Sequence, residues 1–247
     1  MKDLFSKQAG IYAKYRPGYS ADLINFILSF VEQRDYAWDA ATGNGQAAKL
    51  LAPHFKQVAA TDISEKQLGQ AVPDPRINYS VCPAEKTPFE KNSFDLITVA
   101  QAYHWFNFEE FNLEAKRVGK PACMVAIWGY GLIQAEEKKL QDQILHFYKD
   151  VVGQYWDVER QYVDEEYTTI PFPFAEVQHK RFVIEVIWSL DDFAGYCNSW
   201  SSVQHYIKAN GYNPVDDFYL ALNQIWANSK TLTFSFPLFL RLGKVHG

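Results

Sequence analysis

The residues best suited to chemistry lie in the run Asp39-Ala40-Ala41-Thr42-Gly43-Asn44-Gly45-Gln46 and in Asp62, 17 residues beyond Gly45. Glycines in such a run let the chain turn sharply and approach a ligand with no Cβ in the way. A helix that starts at its end points free N–H groups at the same ligand. A carboxylate at the end of the following strand, where Asp62 is expected, faces the same crevice and can accept both hydroxyls of a ribose. Asp39 precedes the loop and can hold its backbone or a ligand ammonium. Thr42 and Asn44 offer polar groups suited to an amino acid tail. The spacing Gly43-x-Gly45-x-x-Ala48 also fits the dinucleotide fingerprint. A nicotinamide-dependent oxidoreductase is therefore a second reading of these residues, and a purely structural turn a third.

Beyond the loop, His104-Trp105 places an imidazole beside an indole just after an apolar run. That imidazole can bind an acceptor or take its proton, or it can simply pack. Trp128 and Tyr130 follow another apolar run and can face an acceptor. Arg160 and Arg181 can hold an anion, although a solvated surface is the simpler reading. Tyr196, Trp200 and Gln204 recur every four residues, which suits one helical face and core packing.

The elements that must position these residues alternate. Strands are expected over 36–41, 57–61, 77–81, 94–100 and 122–128, with helices over 21–33, 46–55, 65–71 and 108–118. The strands are apolar runs rather than alternating ones, as parallel strands covered on both faces are. The pattern implies βαβ units with right-handed crossovers. Beyond Trp128 come a helix over 136–152, an aromatic stretch over 155–167, a strand near 182–188, and helices over 190–209 and 214–226. A last strand covers 231–242, where Pro237 suggests an edge or a bulge. The expectation is one α/β domain over 1–247 with a doubly wound, mostly parallel, seven-stranded Rossmann-like sheet. Residues 1–33 form an N-terminal segment and helix, 34–130 a cofactor-binding core, 131–230 a helical and aromatic cap, and 231–247 the last strand.

Composition narrows the function. The net charge is −5 and no basic stripe is visible, which disfavours nucleic acid and anionic membranes as partners. No apolar run reaches the ~18 residues of a membrane span, and Met1-Lys2-Asp3 opens onto polar residues rather than a signal sequence. Cys82, Cys123 and Cys197 are too far apart for metal spacing, so no metal is expected. A cytoplasmic enzyme that acts on a small molecule, as a monomer or a homodimer, fits this balance. Phe, Tyr and Trp make up 16% of the chain, enough to wall a partly apolar cavity as well as fill a core.

The loop resembles the first motif of the class I S-adenosylmethionine-dependent methyltransferases, with Ala41 where that family usually has its first glycine. Pro83-Ala84-Glu85, Ser93-Phe94-Asp95-Leu96-Ile97 and Lys116-Arg117-Val118-x-Lys120-Pro121 resemble its later motifs. Four longer stretches are similar to the group that includes trans-aconitate methyltransferases of the yeast type. They are Phe5-x-x-x-Ala9-x-x-Tyr12-Ala13-x-Tyr15-Arg16-Pro17, Ala100-Gln101-Ala102-x-His104-Trp105-Phe106, Tyr167-x-x-Ile170-Pro171-Phe172-Pro173-Phe174 and Gly195-Tyr196-x-x-Ser199-Trp200-Ser201-x-Val203-Gln204. The resemblance implies S-adenosylmethionine as cofactor. It implies cofactor contacts from Asp39, Ala41, Gly43, Asn44, Gly45, Gln46, Asp62, Ile63, Ala84, Glu85 and Gln101. It implies a lid or acceptor wall from Tyr12, Tyr15, Arg16, Tyr19, Trp105 and Trp128, with His104 as the catalytic candidate. A carboxylate oxygen is the implied acceptor; a cofactor-binding protein without turnover is the remaining alternative.

Overall fold

The computed structural model describes residues 15–226 and 229–246. Four central strands are parallel: β1 (Tyr36–Ala40), β2 (Gln57–Asp62), β3 (Ile77–Val81) and β4 (Phe94–Ala100). Beside β4 runs β5 (Gly119–Tyr130), also parallel. The long β8 (Leu232–Lys244) runs antiparallel to β5, and β7 (Ala175–Trp188) pairs along the far side of β8. The two-residue β6 (Gln134–Ala135) continues the line of β5 against β8. The sheet thus has seven strand positions, as expected, with one antiparallel member.

Alternate residues of the apolar strands feed two cores. Leu96, Met124, Ala126 and Trp128 join one face with Leu23, Ile27, Ala47 and Leu51. Ile97, Val99, Val125 and Ile127 join the other with Trp38, Phe111 and Tyr167. The helices near the site are α1 (Ala21–Leu28), α2 (Gln46–Leu51), α3 (Glu65–Leu68) and α4 (Phe108–Val118). Ser20, Ser64 and Asn107 cap α1, α3 and α4 by accepting backbone N–H bonds.

The cap comprises α5 (Lys138–His146), α6 (Arg160–Asp164), α7 (Leu190–Asn198), α8 (Ser201–Asn210) and α9 (Pro214–Trp226). Aromatic stacking supplies much of its core: Phe147 lies flat on Phe218, and Phe193 on Phe234. Among the described residues no helix is long and apolar enough to cross a membrane.

Several expectations change. The single helix over 190–209 is two, broken at Ser199-Trp200, where the Ser199 hydroxyl turns back to the Tyr196 carbonyl. The fifth strand begins at Gly119 rather than at 122, directly after the helix over 108–118 ends, and Lys120 in it reaches Asp95 at 2.7 Å. Pro237 is not on an edge: β8 is internal. Its missing N–H falls where β5 has ended and β6 has not begun, and its carbonyl accepts from Gly131. The polar first half of β7, including His179, Lys180 and Arg181, is strand because β8 supplies its ladder.

Candidate active site

β1 and β2 end side by side, and the loop 41–45 leaves between them. Asp39, fully buried, anchors this loop from below. Its carboxylate accepts from the Thr98 hydroxyl at 2.7 Å, the Thr42 hydroxyl at 2.5 Å and the Ala48 N–H at 3.1 Å. Burial raises its pKa to about 6, against those three bonds, with the nearby Asp62 adding to the rise. Asp62 closes the loop from the side. One carboxylate oxygen accepts from Gly43 N–H at 2.9 Å and the other from Ser64 N–H at 2.8 Å. Ala41, Gly43 and Gly45 all adopt positive φ, 53°, 59° and 83°. Ala41 therefore adopts, with a Cβ, the turn that glycine makes freely.

This frame opens on a first cavity, with about 790 Å³ of empty space when its open mouth is counted. The wall contains Ala41, Gly43, Asn44, Gln46, Asp62, Ile63 and Gln101 from the expected cofactor set, and Arg16, Tyr19 and Trp105 from the expected lid and acceptor wall. Tyr130 joins them. Gln101, itself at φ 55°, extends the ladder past β4: its amide oxygen accepts from Tyr130 N–H and its amide nitrogen donates to the Tyr130 carbonyl.

Other expected residues lie off this wall. Asp39 is spent inside the frame, so it holds the loop backbone rather than a ligand ammonium. Gly45 faces the Tyr79 ring, which leaves no room for a Cβ. Ala84 is buried, and Glu85 accepts from the Asn107 N–H at the start of α4. Tyr15 packs against Gly195 on α7. Trp128 is fully buried behind Tyr19, edge to face at 5.5 Å, and does not face an acceptor. Tyr12 lies outside the described residues.

A second cavity of about 420 Å³ adjoins the first and shares Arg16, Gln101 and Trp105 with it. His104, Trp156, Asp157, Arg160 and Ser201 complete its wall. Arg16 spans the junction, donating to the Tyr130 hydroxyl and the Ser199 carbonyl, both at 3.1 Å, with its guanidinium over the Tyr196 ring. Arg160 is no solvated surface residue. Its Nε donates to the Tyr148 hydroxyl and to Asp164, and it lies against the Trp156 ring at 5.1 Å. Among the described residues its two Nη groups have no acceptor. Arg181 instead pairs with Glu166 at the surface. Burial, aided by the Arg160 charge, lowers the His104 pKa to about 3, so the imidazole is neutral. Its Nδ1 lies 2.7 Å from the Tyr167 hydroxyl. Trp156 and Tyr167 escaped the sequence reading as site residues; the only signal was that Tyr167 opens the Ile170-Pro171-Phe172-Pro173-Phe174 stretch.

Residues 38–127, the loop and its strands, match the family model described as a methyltransferase domain. A Dictyostelium discoideum protein named a methyltransferase is 34% identical over 98% of this chain and 95% of its own length. A Saccharomyces cerevisiae protein named an S-adenosylmethionine-dependent methyltransferase is 28% identical, over 58% of this chain and 54% of its own. A solved type II methyltransferase structure from Anaeromyxobacter dehalogenans superposes with a TM-score of 0.86 at 33% identity, covering 94% of this chain and 99% of that one. The nicotinamide reading of the loop is not favoured by these relatives. The chain belongs to the class I S-adenosylmethionine-dependent methyltransferases, and S-adenosylmethionine is its cofactor.

Proposed function

We propose that this enzyme methylates a carboxylate oxygen of a small molecule bound in the second cavity. The observation that carries the reading is the Arg160 guanidinium, whose Nη groups have no acceptor among the described residues, in a cavity that meets the cofactor cavity at Arg16, Gln101 and Trp105. An anionic acceptor supplies the missing partner, and guanidinium and carboxylate match in a bidentate geometry. The stretches that resemble the trans-aconitate methyltransferase group support the same acceptor.

The residues around the first cavity fit the cofactor. Asp62 lies on the cavity wall at the end of β2, where a carboxylate can accept from ribose hydroxyls. Asn44, Gln46 and the loop N–H groups suit the amino acid tail. The cofactor supplies an activated methyl group on a sulfonium centre. The chain's own residues then have positioning and water exclusion to perform. Arg160 holds the acceptor carboxylate, which is already ionised at pH 7 and needs no base. Tyr15, Arg16 and Tyr19 act as a lid by tying the entering segment to the cap at Gly195 and Ser199 and to β5 at Tyr130 and Trp128.

The test is a turnover screen of small carboxylic acids, amines and alcohols with S-adenosylmethionine, read by mass spectrometry of the product. Methyl esters from the acids are the expected result. Turnover confined to amines or alcohols overturns the carboxylate acceptor.

A further inference from the structure

The turn that carries Tyr167 is built at some cost. Glu166 and Tyr167 are consecutive residues at positive φ, 53° and 57°, a conformation that L-residues adopt only under constraint. Buried Arg241 pins the turn, donating from one Nη to the Tyr167 carbonyl at 2.6 Å and to the Ile170 carbonyl at 2.8 Å. Phe239 and Tyr103 hold the Tyr167 ring edge to face. The result is a buried phenol aimed at a buried imidazole, 2.7 Å from hydroxyl to Nδ1. The other ring nitrogen of His104, Nε2, has no partner among the described residues, and His104 is part of the second cavity's wall. Strain maintained by a pinned turn beside a reaction cavity points to a role for the group it places.

The direction of the Tyr167–His104 bond decides what His104 can do. A phenol is the stronger acid and so the better donor, while a neutral imidazole nitrogen is the better acceptor. The hydroxyl therefore donates to Nδ1. A neutral imidazole has one proton, which then resides on Nε2. We propose that Tyr167 is a positioning residue that holds His104 as an Nε2–H donor, so that the imidazole binds an anionic oxygen of the acceptor instead of taking a proton from it. This rests on the carboxylate reading above for the identity of the acceptor, but the tautomer does not depend on it.

The assignment has a kinetic consequence. As the oxygen–methyl bond forms and the sulfur–methyl bond breaks, the sulfur takes the electron pair and the carboxylate loses its negative charge. A donor to that oxygen is therefore at its strongest in the bound acceptor, and weakens toward the transition state. Its loss raises KM more than it lowers kcat. A general base gives the opposite split and a kcat that falls with acid.

The deciding experiment is nitrogen-15 spectroscopy of the full-length protein labelled at histidine, with His104→Gln to assign the signal. The expected result is a proton on Nε2 and a bare Nδ1, unchanged from pH 5 to 9. In Tyr167→Phe the expected result is a mixture of the two neutral tautomers with the ring otherwise in place. A proton on Nδ1 in the unsubstituted protein overturns the proposal, as does a Tyr167→Phe spectrum identical to the parent. The spectra need no acceptor, so their failure is separate from a failed acceptor screen. With a turned-over acid, Tyr167→Phe is expected to raise KM about 3- to 10-fold with kcat within 2-fold of the parent.

Discussion

The first cavity is walled largely by one stretch of chain around the ends of β1 and β2, and the second by side chains gathered from far apart. Around the first, Asp39 and Asp62 are joined to loop atoms within a few residues of themselves or of the neighbouring strand, and most of the donors they accept from are backbone N–H groups. Around the second, His104 comes from the exit of β4, Arg160 from α6, Tyr167 from a turn before β7 and Arg16 from the segment before α1. A wall made of adjacent backbone specifies a shape common to many acceptors' enzymes. A wall made of distant side chains can be changed one residue at a time, which suits the part of a methyltransferase that selects its acceptor.

The sharpest way to break this division is at Asp62. Asp62→Ala removes the ribose acceptor and leaves Gly43 and Ser64 N–H groups without theirs. Cofactor binding is expected to weaken by roughly 2–3 kcal/mol, the scale of a charged hydrogen bond. Titration with S-adenosylhomocysteine measures it. An affinity within 2-fold of the parent in a folded protein removes Asp62 from the cofactor site.

The converse substitution is Arg160→Met, which keeps much of the stem's apolar packing against Trp156 and removes the charge. Acceptor KM is expected to rise by the equivalent of about 2 kcal/mol, while S-adenosylhomocysteine affinity stays within 2-fold. A comparable loss of cofactor affinity means that the two walls are not separable, and the division fails.

The same contrast explains what could be read from the chain in advance. The cofactor loop was legible because its information is local: glycine spacing, an acid at each of two strand ends, and apolar runs that admit only buried parallel strands. The acceptor wall was not. Nothing near Arg160 announces that Tyr148 and Asp164 will take its Nε and leave its Nη groups toward a cavity. Nor does the sequence announce that Tyr167 will meet His104 across 63 residues. Asp39 shows the limit within the local region as well. Its place before the loop was evident, but its withdrawal from the cavity depends on Thr98, which is far off in sequence and adjacent only across β1 and β4.

Acid separates the two regions by sign. The folded pKa of His104, about 3, lies below its ordinary value near 6.5, so its contribution to stability is present above pH 6.5 and is lost as pH falls toward 3. The folded pKa of Asp39, about 6, lies above its ordinary value of 3.8, so its contribution is present at low pH and is lost as pH rises through 6. From pH 7 to 5 the first costs about 2 kcal/mol and the second returns about 1 kcal/mol, for a net loss near 1 kcal/mol from this pair. In His104→Gln the pair's loss is expected to become a gain near 1 kcal/mol. Urea unfolding of the parent and the variant at the two pH values measures the difference. The same pH dependence in both proteins rules out the buried neutral imidazole.

The smallest effect concerns how much of the cofactor loop is conformational. Ala41 and Gly43 adopt nearly the same φ, 53° and 59°, one with a Cβ and one without. A Cβ added at Gly43 would meet nothing within 4 Å, so Gly43→Ala carries only the backbone penalty of the left-handed region, about 1 kcal/mol. Ala41→Gly removes that same penalty, and the greater freedom of glycine in the unfolded chain offsets part of the gain. A rise in stability of about 0.5 kcal/mol is expected, with S-adenosylhomocysteine affinity unchanged or slightly improved. The two substitutions thus act in opposite directions on one loop, with the alanine variant of Gly43 the larger. At Gly45 the Tyr79 ring stands where the Cβ would go, so Gly45→Ala is expected to cost more than Gly43→Ala. If thermal unfolding ranks Ala41→Gly below the parent, the methyl of Ala41 has a packing role against the ligand cavity that outweighs its strain, and the loop is shaped by contact as well as by conformation.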